Sequence, residues 1–255
     1  FSTDTQIAGG PVYVSGYTPD SEVRRILSYA VSQGLRDVAL FHPRTRYGEA
    51  AARAAREAQA RTGTRIVATA GYERSFRGIE AASGSFAEQA RAFGARAVLL
   101  PAGGRELQAV GSFMNFHGLD PDDVQYLGLG QWNSGASFQE PALAGGWFPG
   151  PDPQALGGFA SAYRARHGEE PPVLASLGYD AVQIAGQLLE AARAEGRRDP
   201  FSREAITRAR GFRGALGPVR FTETGAAEHG MAILKVGQGR FEVRDPAPRA
   251  FGAGF

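Results

Sequence analysis

The chain has 255 residues, which is long enough to bury one large core or two smaller ones. Hydrophobic residues make up 43% of it and charged residues 21%, as in ordinary globular domains. The formal net charge is only +2, and the arginines are scattered among acids and alanines, so the sequence does not predict a surface for nucleic acid or a membrane. The lack of cysteine excludes disulfides and thiolate metal sites, and no run of about 18 apolar residues predicts a membrane span.

The first elements are a short strand and an amphipathic helix. Residues 11–15 (PVYVS) predict the strand, and Thr18-Pro19-Asp20 predicts the start of the helix, with Thr18 as its N-cap and Gly34 as its end. The helix carries an apolar stripe with i, i+3, i+4 spacing, which predicts one buried face. Its members are Val23, Ile26, Leu27, Ala30 and Val31.

Strands and helices then alternate from residue 37 to residue 149. The predicted strands are 37–41, 64–70, 95–100, 124–129 and 146–148. The predicted helices are 45–61, one that begins at a Ser85–Glu88 capping box and ends at Gly94, and 105–117, whose apolar side includes Leu107, Val110, Phe113 and Met114. Apolar strands joined by helices are typical of a parallel α/β sheet that is covered on both faces.

The second half predicts long helices with few strands to cover. The helices are 152–167, 174–194 and 202–210, and the strands are 219–221, 231–236 and 240–243. Unmatched apolar helix surface suggests an incomplete lobe, whose missing part would precede Phe1. The chain also begins without methionine, so we expect a piece of a longer protein.

No catalytic or cofactor pattern stands out, so the sequence predicts a protein that is not an enzyme and has no cofactor. The four histidines are widely separated, which argues against a zinc site or a general base. A single lysine, Lys235, excludes a Walker loop, and neither a nucleophile elbow nor an S-x-x-K motif occurs. Gly128-Leu129-Gly130 is only a fragment of a dinucleotide loop, because no helix begins directly after it.

Candidate binding residues follow successive predicted strands, at the edge where open α/β sheets bind ligands. A glycine loop before a helix can receive an anion, although it can equally be a plain turn. Trp132 can equally be a core or interface residue. The candidates are Arg44, Tyr47, Tyr72, Glu73, Ala102, Gly103, Gly104, Gln131, Trp132 and Asn133.

Two long stretches resemble type I periplasmic binding proteins, the Leu/Ile/Val-binding superfamily. Residues 15–55 read SGYTPDSEVRRILSYAVSQGLRDVALFHPRTRYGEAAARAA, where a strand, a turn with Tyr-Gly and a helix mark the start of the second lobe. Residues 159–192 read FASAYRARHGEEPPVLASLGYDAVQIAGQLLEAA, which resembles the superfamily's helix pair with its Tyr-Asp-Ala motif.

Four shorter stretches are similar to a narrower branch, the LppC-like activator lipoproteins of penicillin-binding proteins. They are FSTDTQIAGGPVYVSGYTP, GLGQWN, EPALAGGWFPGPDP and GFRGALGPVRFTETGAAEHGMAILKV. Together with the superfamily stretches, the resemblance covers nearly the whole chain.

The resemblance implies a type I periplasmic-binding α/β fold with two lobes and a hinge crossed three times. The complete second lobe would comprise 17–150, joined by 229–255, and the incomplete first lobe would comprise 1–16 and 151–228. Such proteins normally start about a hundred residues earlier, and the lipoproteins among them carry their lipid on a cysteine at the mature N-terminus. The resemblance therefore implies a periplasmic lipoprotein whose membrane anchor lies outside this chain.

The resemblance also places ligand contacts. Ser2, Thr3 and Thr5 lie where first-lobe contacts would partly fall. Gly103 stands where the family usually has an aromatic residue, and Gln131-Trp132 stand where it has an acid. Losing both weakens a clamp for an α-amino acid, since an ammonium group needs an acceptor to replace its water.

The functional expectation has two forms. In the first, the chain is a non-enzymatic module of an envelope lipoprotein that regulates peptidoglycan synthesis by contacting a penicillin-binding protein. The alternative is an extracellular receptor that delivers an amino acid or another small polar ligand to the permease of an ABC importer. Neither form predicts a metal or nucleic acid as partner.

Overall fold

The computed structural model describes residues 7–153 and 155–251, which divide into two compact units. Within these limits the larger unit comprises 19–150 and 233–245, and the smaller one comprises 7–18, 151–232 and 246–251. The described chain thus passes between units four times, one more than the resemblance implies. The division also differs at the C-terminal end, because 229–232 and 246–251 belong to the smaller unit.

The structure has seven α-helices and ten β-strands in the described residues. The helices are α1 (Pro19–Ser32), α2 (Arg46–Thr62), α3 (Phe76–Ala92), α4 (Gly104–Phe116), α5 (Leu156–His167), α6 (Val173–Glu195) and α7 (Arg203–Ile206). The strands are β1 (Asp37–Pro43), β2 (Arg65–Tyr72), β3 (Ala97–Leu99), β4 (Gln125–Leu127), β5 (Trp147–Gly150), β6 (Phe212–Gly214), β7 (Gly217–Phe221), β8 (Ala227–His229), β9 (Ala232–Val236) and β10 (Phe241–Asp245).

The larger unit is built on a seven-stranded sheet in the order β10-β9-β5-β4-β3-β1-β2. Strands β1 to β5 pair in parallel, which confirms the α/β alternation predicted from residue 37 onward. β9 and β10 form an antiparallel hairpin at one edge and make the sheet mixed. Arg25 of α1 donates to Asp245 at the end of this hairpin, at 2.6 Å.

Helices cover both faces of this sheet. α1 packs on α2, and both lie over the face that carries Val38 and Leu40 of β1. α3 packs on α4 over the opposite face, where Phe41 contacts Phe86 with ring centroids 4.8 Å apart. Successive residues of β1 therefore serve two cores, which explains why this strand shows no polar alternation.

Local capping signals set the helix bounds, with one correction. Thr45 caps α2 by accepting the N–H of Gly48 at 3.1 Å, and Gly63 ends that helix at φ 76°, both as predicted. The predicted start of α3 at Ser85 is wrong, because the helix is capped by Ser75 and is already formed there. Ser85 instead donates to the carbonyl of Ala82 in mid-helix, so a serine–glutamate spacing alone did not mark the N-terminus.

The smaller unit contains α5, α6, α7 and an antiparallel sheet in the order β6-β7-β8. The sequence predicted neither β6 nor β8, since each has only three residues. The predicted strand at 11–15 is reduced to isolated bridges, one of which joins Val14 to Ala226. The long helix α6 buries Ile184 and Leu188 against this sheet, whereas Val182 is exposed.

Asp180 of the Tyr-Asp-Ala motif holds the turn between β6 and β7. Its side chain is 2% exposed, and one carboxyl oxygen accepts the N–H of Ala215 at 2.6 Å. The other oxygen lies against Gly214, where an added Cβ would be only 2.7 Å away. Burial raises the pKa of this carboxyl, and the Ala215 N–H partly offsets the effect.

Replacing Asp180 by alanine is expected to lower the free energy of unfolding by about 1 to 3 kcal/mol, because it leaves a turn N–H without its acceptor. The measurement is urea unfolding followed by far-UV circular dichroism. Glu190→Ala is the control, since Glu190 is an exposed residue of the same helix. Equal stability of the two variants would contradict this role for Asp180.

Candidate ligand-binding site

The carboxyl ends of β1 and β3 define the candidate site. These two strands are neighbours, yet the chain leaves β1 toward β2 on one side and returns to β3 on the other. Such a switch in strand order opens a crevice at the carboxyl edge of a sheet, where ligands of open α/β folds bind. The loops after β1, β2, β3 and β4 all end at this edge, which we call the switch edge.

The loop after β1 and the first turn of α2 carry two of the predicted residues, Arg44 and Tyr47. Arg44 is exposed, and its guanidinium lies 3.6 Å from the carboxylate of Glu73 in the loop after β2. Tyr47, in the first turn of α2, is half-buried and donates its hydroxyl to Glu22 at 3.1 Å. Arg44 and Glu73 thus form an exposed pair on the surface of the switch edge, while Tyr47 points back into the unit.

Tyr72, at the end of β2, does not contribute to the surface. Its ring is 1% exposed and lies 4.6 Å from the ring of Phe41, and its hydroxyl donates to Glu106 at 2.9 Å. Burial, and next the charge of Glu106, raise the pKa of Tyr72. Arg74 pairs with the other oxygen of Glu106 at 2.7 Å. The sequence interpretation of Tyr72 as a cleft aromatic is therefore corrected, since the apolar packing of β2 takes its ring inward.

The loop after β3 places Gly103 and Gly104 at the N-terminus of α4. Gly103 is the N-cap and provides no side-chain cap, so α4 presents its first N–H groups at the switch edge. A Cβ on Gly103 would lie 2.9 Å from the Cβ of Gln131, which shows how closely the loops after β3 and β4 approach. Ala102 is 2% exposed, so its methyl group does not line the site and this interpretation is corrected.

Trp132 is a core residue and not a cleft residue, which decides between the two interpretations of the sequence. Its side chain has 0% exposure, and its indole N–H donates to the carbonyl of Leu100 at 3.0 Å. A Cβ on Gly128 would lie 2.2 Å from the indole ring, and one on Gly146 would lie 2.5 Å from it. The neighbouring Gln131 and Asn133 are exposed, so this loop buries one side chain and presents the other two.

Glu22 is a residue of this edge that the sequence interpretation missed. It lies in the first turn of α1, is 6% exposed, and accepts hydrogen bonds from the Tyr47 hydroxyl and the Gly130 N–H. Burial raises its pKa from 4.5 to about 7, and the two hydrogen bonds partly offset that rise. An acid in a first helical turn usually reflects the helix dipole, so nothing in the local sequence signalled burial.

The remaining residues considered from the sequence are three N-terminal hydroxyl residues and the histidines. Ser2, Thr3 and Thr5 lie outside the described residues. Two of the histidines, His42 and His229, are buried, and burial lowers the pKa of His229 to about 4. No group of three or more metal-ligating side chains occurs within residues 7–153 and 155–251. In the same part of the chain, no helix is both long enough and apolar enough to span a membrane.

Comparison with protein families identifies the class that this fold defines. A family model described as periplasmic binding protein matches residues 2–240, and the chain therefore belongs to that family. The type I, Leu/Ile/Val-binding-like fold inferred from the resemblance is confirmed. No curated protein matches the sequence significantly.

Solved structures of similar fold come from several bacteria. A periplasmic ligand-binding protein of a branched-chain amino acid ABC transporter from Burkholderia xenovorans is 18% identical, with a TM-score of 0.68, over 98% of this chain and 68% of that one. The leucine-binding protein LivK from Thermotoga maritima is 18% identical, with a TM-score of 0.64, over 94% and 68%. A solute-binding protein from Rhodopseudomonas palustris in complex with benzoate is 15% identical, with a TM-score of 0.64, over 95% and 67%. The chain thus spans about two thirds of their lengths.

Proposed function

We propose that this chain is a non-enzymatic binding module of the periplasm that captures a small carboxylate or neutral polar molecule at the switch edge, as the receptor of an ABC importer does. Its larger unit would be the second lobe and its smaller unit part of the first. The solute-binding proteins of similar fold support this class of function. At 18% and 15% identity these proteins share the fold with this chain, which does not extend to the ligand, so we infer the ligand class from this chain's own residues.

The carboxyl groups at the switch edge carry the argument about ligand class. Glu73 pairs with Arg44, Glu106 is engaged by Tyr72 and Arg74, and Glu22 is buried. Glutamine stands at position 131, where the resemblance implies an acid. An ammonium group needs an anion or several acceptors to replace its water. The carboxyl groups at this edge are already paired or buried, so they form a poor binding site for an ammonium group.

Donors for an anion or a polar group are present at the same edge. Arg44 is exposed, and its 3.6 Å contact with Glu73 is longer than a hydrogen bond, so its fork of N–H groups can still bind a carboxylate. Gly103 leaves the N-terminus of α4 without a side-chain cap, and Gln131 and Asn133 add neutral amides. This set favours a ligand with a carboxylate or polar head over a free α-amino acid.

A second candidate function follows from the narrower resemblance. A module that regulates peptidoglycan synthesis by contact with a penicillin-binding protein needs no clamp for an amino acid, and the weak ammonium site agrees with that role. The GLGQWN stretch, one of the motifs of the LppC-like resemblance, forms the loop after β4 at the switch edge.

A thermal-shift screen tests the proposal. We expect sodium benzoate or another small carboxylate to raise the melting temperature by several degrees at millimolar concentration, because a ligand that binds only the folded state stabilises it. Arg44→Ala should reduce that shift. Arg56→Ala, which removes an exposed arginine of α2, should not.

Other outcomes separate the alternatives. A larger shift with leucine than with any carboxylate would contradict the ligand class while keeping a receptor function. If no amino acid, carboxylate or muropeptide produces a shift, and a peptidoglycan synthase copurifies with the full-length protein, the second candidate replaces the first.

A further inference from the structure

Four aromatic rings form a continuous row on helices α3 and α4 of the larger unit. The ring of Phe76 lies 5.1 Å from that of Phe113, which lies 6.5 Å from the stacked imidazole of His117. The ring of Phe116 contacts the same imidazole edge-on at 5.1 Å. Phe76 is 65% exposed and Phe116 is 80% exposed, so both ends of the row face solvent. We call these four residues the aromatic ridge.

The size of the aromatic ridge indicates a contact with a short segment. Single exposed apolar side chains are common on soluble proteins, whereas contiguous apolar patches mark interaction sites. The exposed parts of Phe76 and Phe116 amount to roughly 300 Å², at about 200 Å² for a phenylalanine side chain. A stable contact between two globular proteins buries about 800 Å² on each partner, so the exposed rings alone would supply less than half of it.

Two exposed carboxylates of α3 lie beside the ridge. Glu80 and Glu88 are one helical turn before and after Gly84, on the same flank of the helix. A Cβ on Gly84 would lie 3.3 Å from the imidazole of His117, so this flank of α3 adjoins the ridge. Neither glutamate forms an ion pair within the described residues.

A second group of carboxylates follows α4. Asp120, Asp122 and Asp123 are exposed in the turn after this helix, and the N–H of Asp122 donates to the carboxyl of Asp120 at 2.9 Å. Phe116 is the last residue of α4, only four residues before Asp120. None of the three aspartates forms an ion pair in the described part of the chain. The C-terminal end of α4 carries partial negative charge of its own, which adds to theirs.

The nearby arginines do not neutralise these acids. In residues 76–97 and 110–123, which contain the ridge and its surroundings, five carboxylates stand against three arginines, Arg77, Arg91 and Arg96. Arg91 donates to the carbonyl of His117 at the end of α4. Arg77 and Arg96 are exposed and form no ion pair with a described residue. The ridge therefore lies in a region with excess negative charge.

We propose that the aromatic ridge and its carboxylates bind a short partner segment in which arginine or lysine residues flank an apolar side chain. An arginine of the segment can stack on the exposed ring of Phe116 and donate to a neighbouring carboxylate. The apolar side chain would cover Phe76 and Phe113, removing aromatic surface from water. This binding goes beyond the proposed function, because the ridge shares no residue with the candidate site at the switch edge.

Charge argues against a second copy of this chain as the occupant. Two copies related by a twofold axis would place the ridge of one against the ridge of the other. The carboxylates around the two ridges would then face each other, and like charges across an interface oppose association. A basic segment instead supplies the opposite charge.

Fluorescence polarisation with the whole chain tests the proposal. The probe is a short fluorescein-labelled peptide in which Leu-Trp pairs alternate with Arg-Arg pairs, and its counterpart carries glutamate in place of each arginine. We expect the basic peptide to bind at least about tenfold more tightly than the acidic one, and added salt to weaken it. Phe116→Ala should weaken binding by about tenfold. Phe201→Ala, which removes an exposed phenylalanine of the smaller unit, should leave it unchanged.

Several outcomes would overturn the proposal. They are equal affinity for the two peptides, no binding of the basic peptide at millimolar concentration, and wild-type affinity in Phe116→Ala. A concentration-dependent dimer in analytical ultracentrifugation that Phe116→Ala abolishes would assign the ridge to a contact between copies instead. Should Phe116→Ala fail to fold, the exposed pair Asp122→Asn and Asp123→Asn must still lower the affinity for the basic peptide and its dependence on salt. None of these results depends on the ligand screen.

Discussion

Replacing Trp132 by alanine is expected to lower the free energy of unfolding by about 3 to 5 kcal/mol, which would make it the most destabilising substitution considered for this protein. The indole is fully buried and donates to the carbonyl of Leu100, so the substitution removes a large apolar contact and a hydrogen bond between the loops after β4 and β3. Urea unfolding monitored by the fluorescence of Trp147, in the same unit, measures the loss. Trp132→Phe should cost less because it retains most of the buried ring.

Gly128 offers an independent test of the same packing. Since a Cβ at this position would lie 2.2 Å from the indole, Gly128→Ala alone should be strongly destabilising. In a Trp132→Ala background the conflict disappears, and the added methyl group should cost little. A double-mutant cycle measures this coupling, which we expect to exceed about 1 kcal/mol. Additive effects of the two substitutions would contradict the direct contact.

Gly48→Ala is expected to lower the free energy of unfolding by about 3 kcal/mol. An added Cβ would lie 2.0 Å from the carbonyl oxygen of Pro43, which belongs to the backbone at the end of β1 and cannot rotate away. The first turn of α2 would have to separate from β1, and the cap that Thr45 provides to the Gly48 N–H would be disturbed. Thermal or urea unfolding followed by circular dichroism measures the effect.

Gly186→Ala is the matched control for this substitution. Gly186 lies in the interior of α6, where no described group outside the helix's own backbone comes within 4 Å of an added Cβ, so alanine there should stabilise the helix by about 0.5 to 1 kcal/mol. Opposite signs for the two glycine substitutions would support the steric explanation. A Gly48→Ala protein as stable as wild type would show that the Tyr-Gly turn of the family does not need its glycine for close approach.

The architecture was largely predictable because its signals are local. Thr45 and Gly63 delimit α2 as expected, since a threonine that caps and a glycine that adopts φ 76° act on their own backbone neighbours. The capping pattern at Ser85 misled for the same reason, because it is a local signal that the longer amphipathic pattern of α3 overrides. The three-residue strands β6 and β8 escaped prediction because so short a segment carries too little periodicity to detect.

The candidate site was predictable in location but not in composition. Parallel strands end at one edge, so the loops with Arg44, Glu73, Gly103 and Gln131 could be grouped without a structure. The sequence could not predict which side chains of those loops face the surface, because the burial of each side chain depends on its contacts with residues from distant parts of the chain.

What the sequence by itself determined is the class, an α/β chain of the periplasmic binding family, and the location of a candidate binding edge at the ends of β1 to β4. Only the tertiary structure decided the roles of individual residues. It buries Trp132 in the core against Gly128 and Gly146, and it places Glu22 in contact with Gly130, which is over a hundred residues away in sequence. The physical reason is that helix and strand periodicity depends on residues that are close in sequence, whereas burial and pKa depend on contacts between residues far apart in the chain.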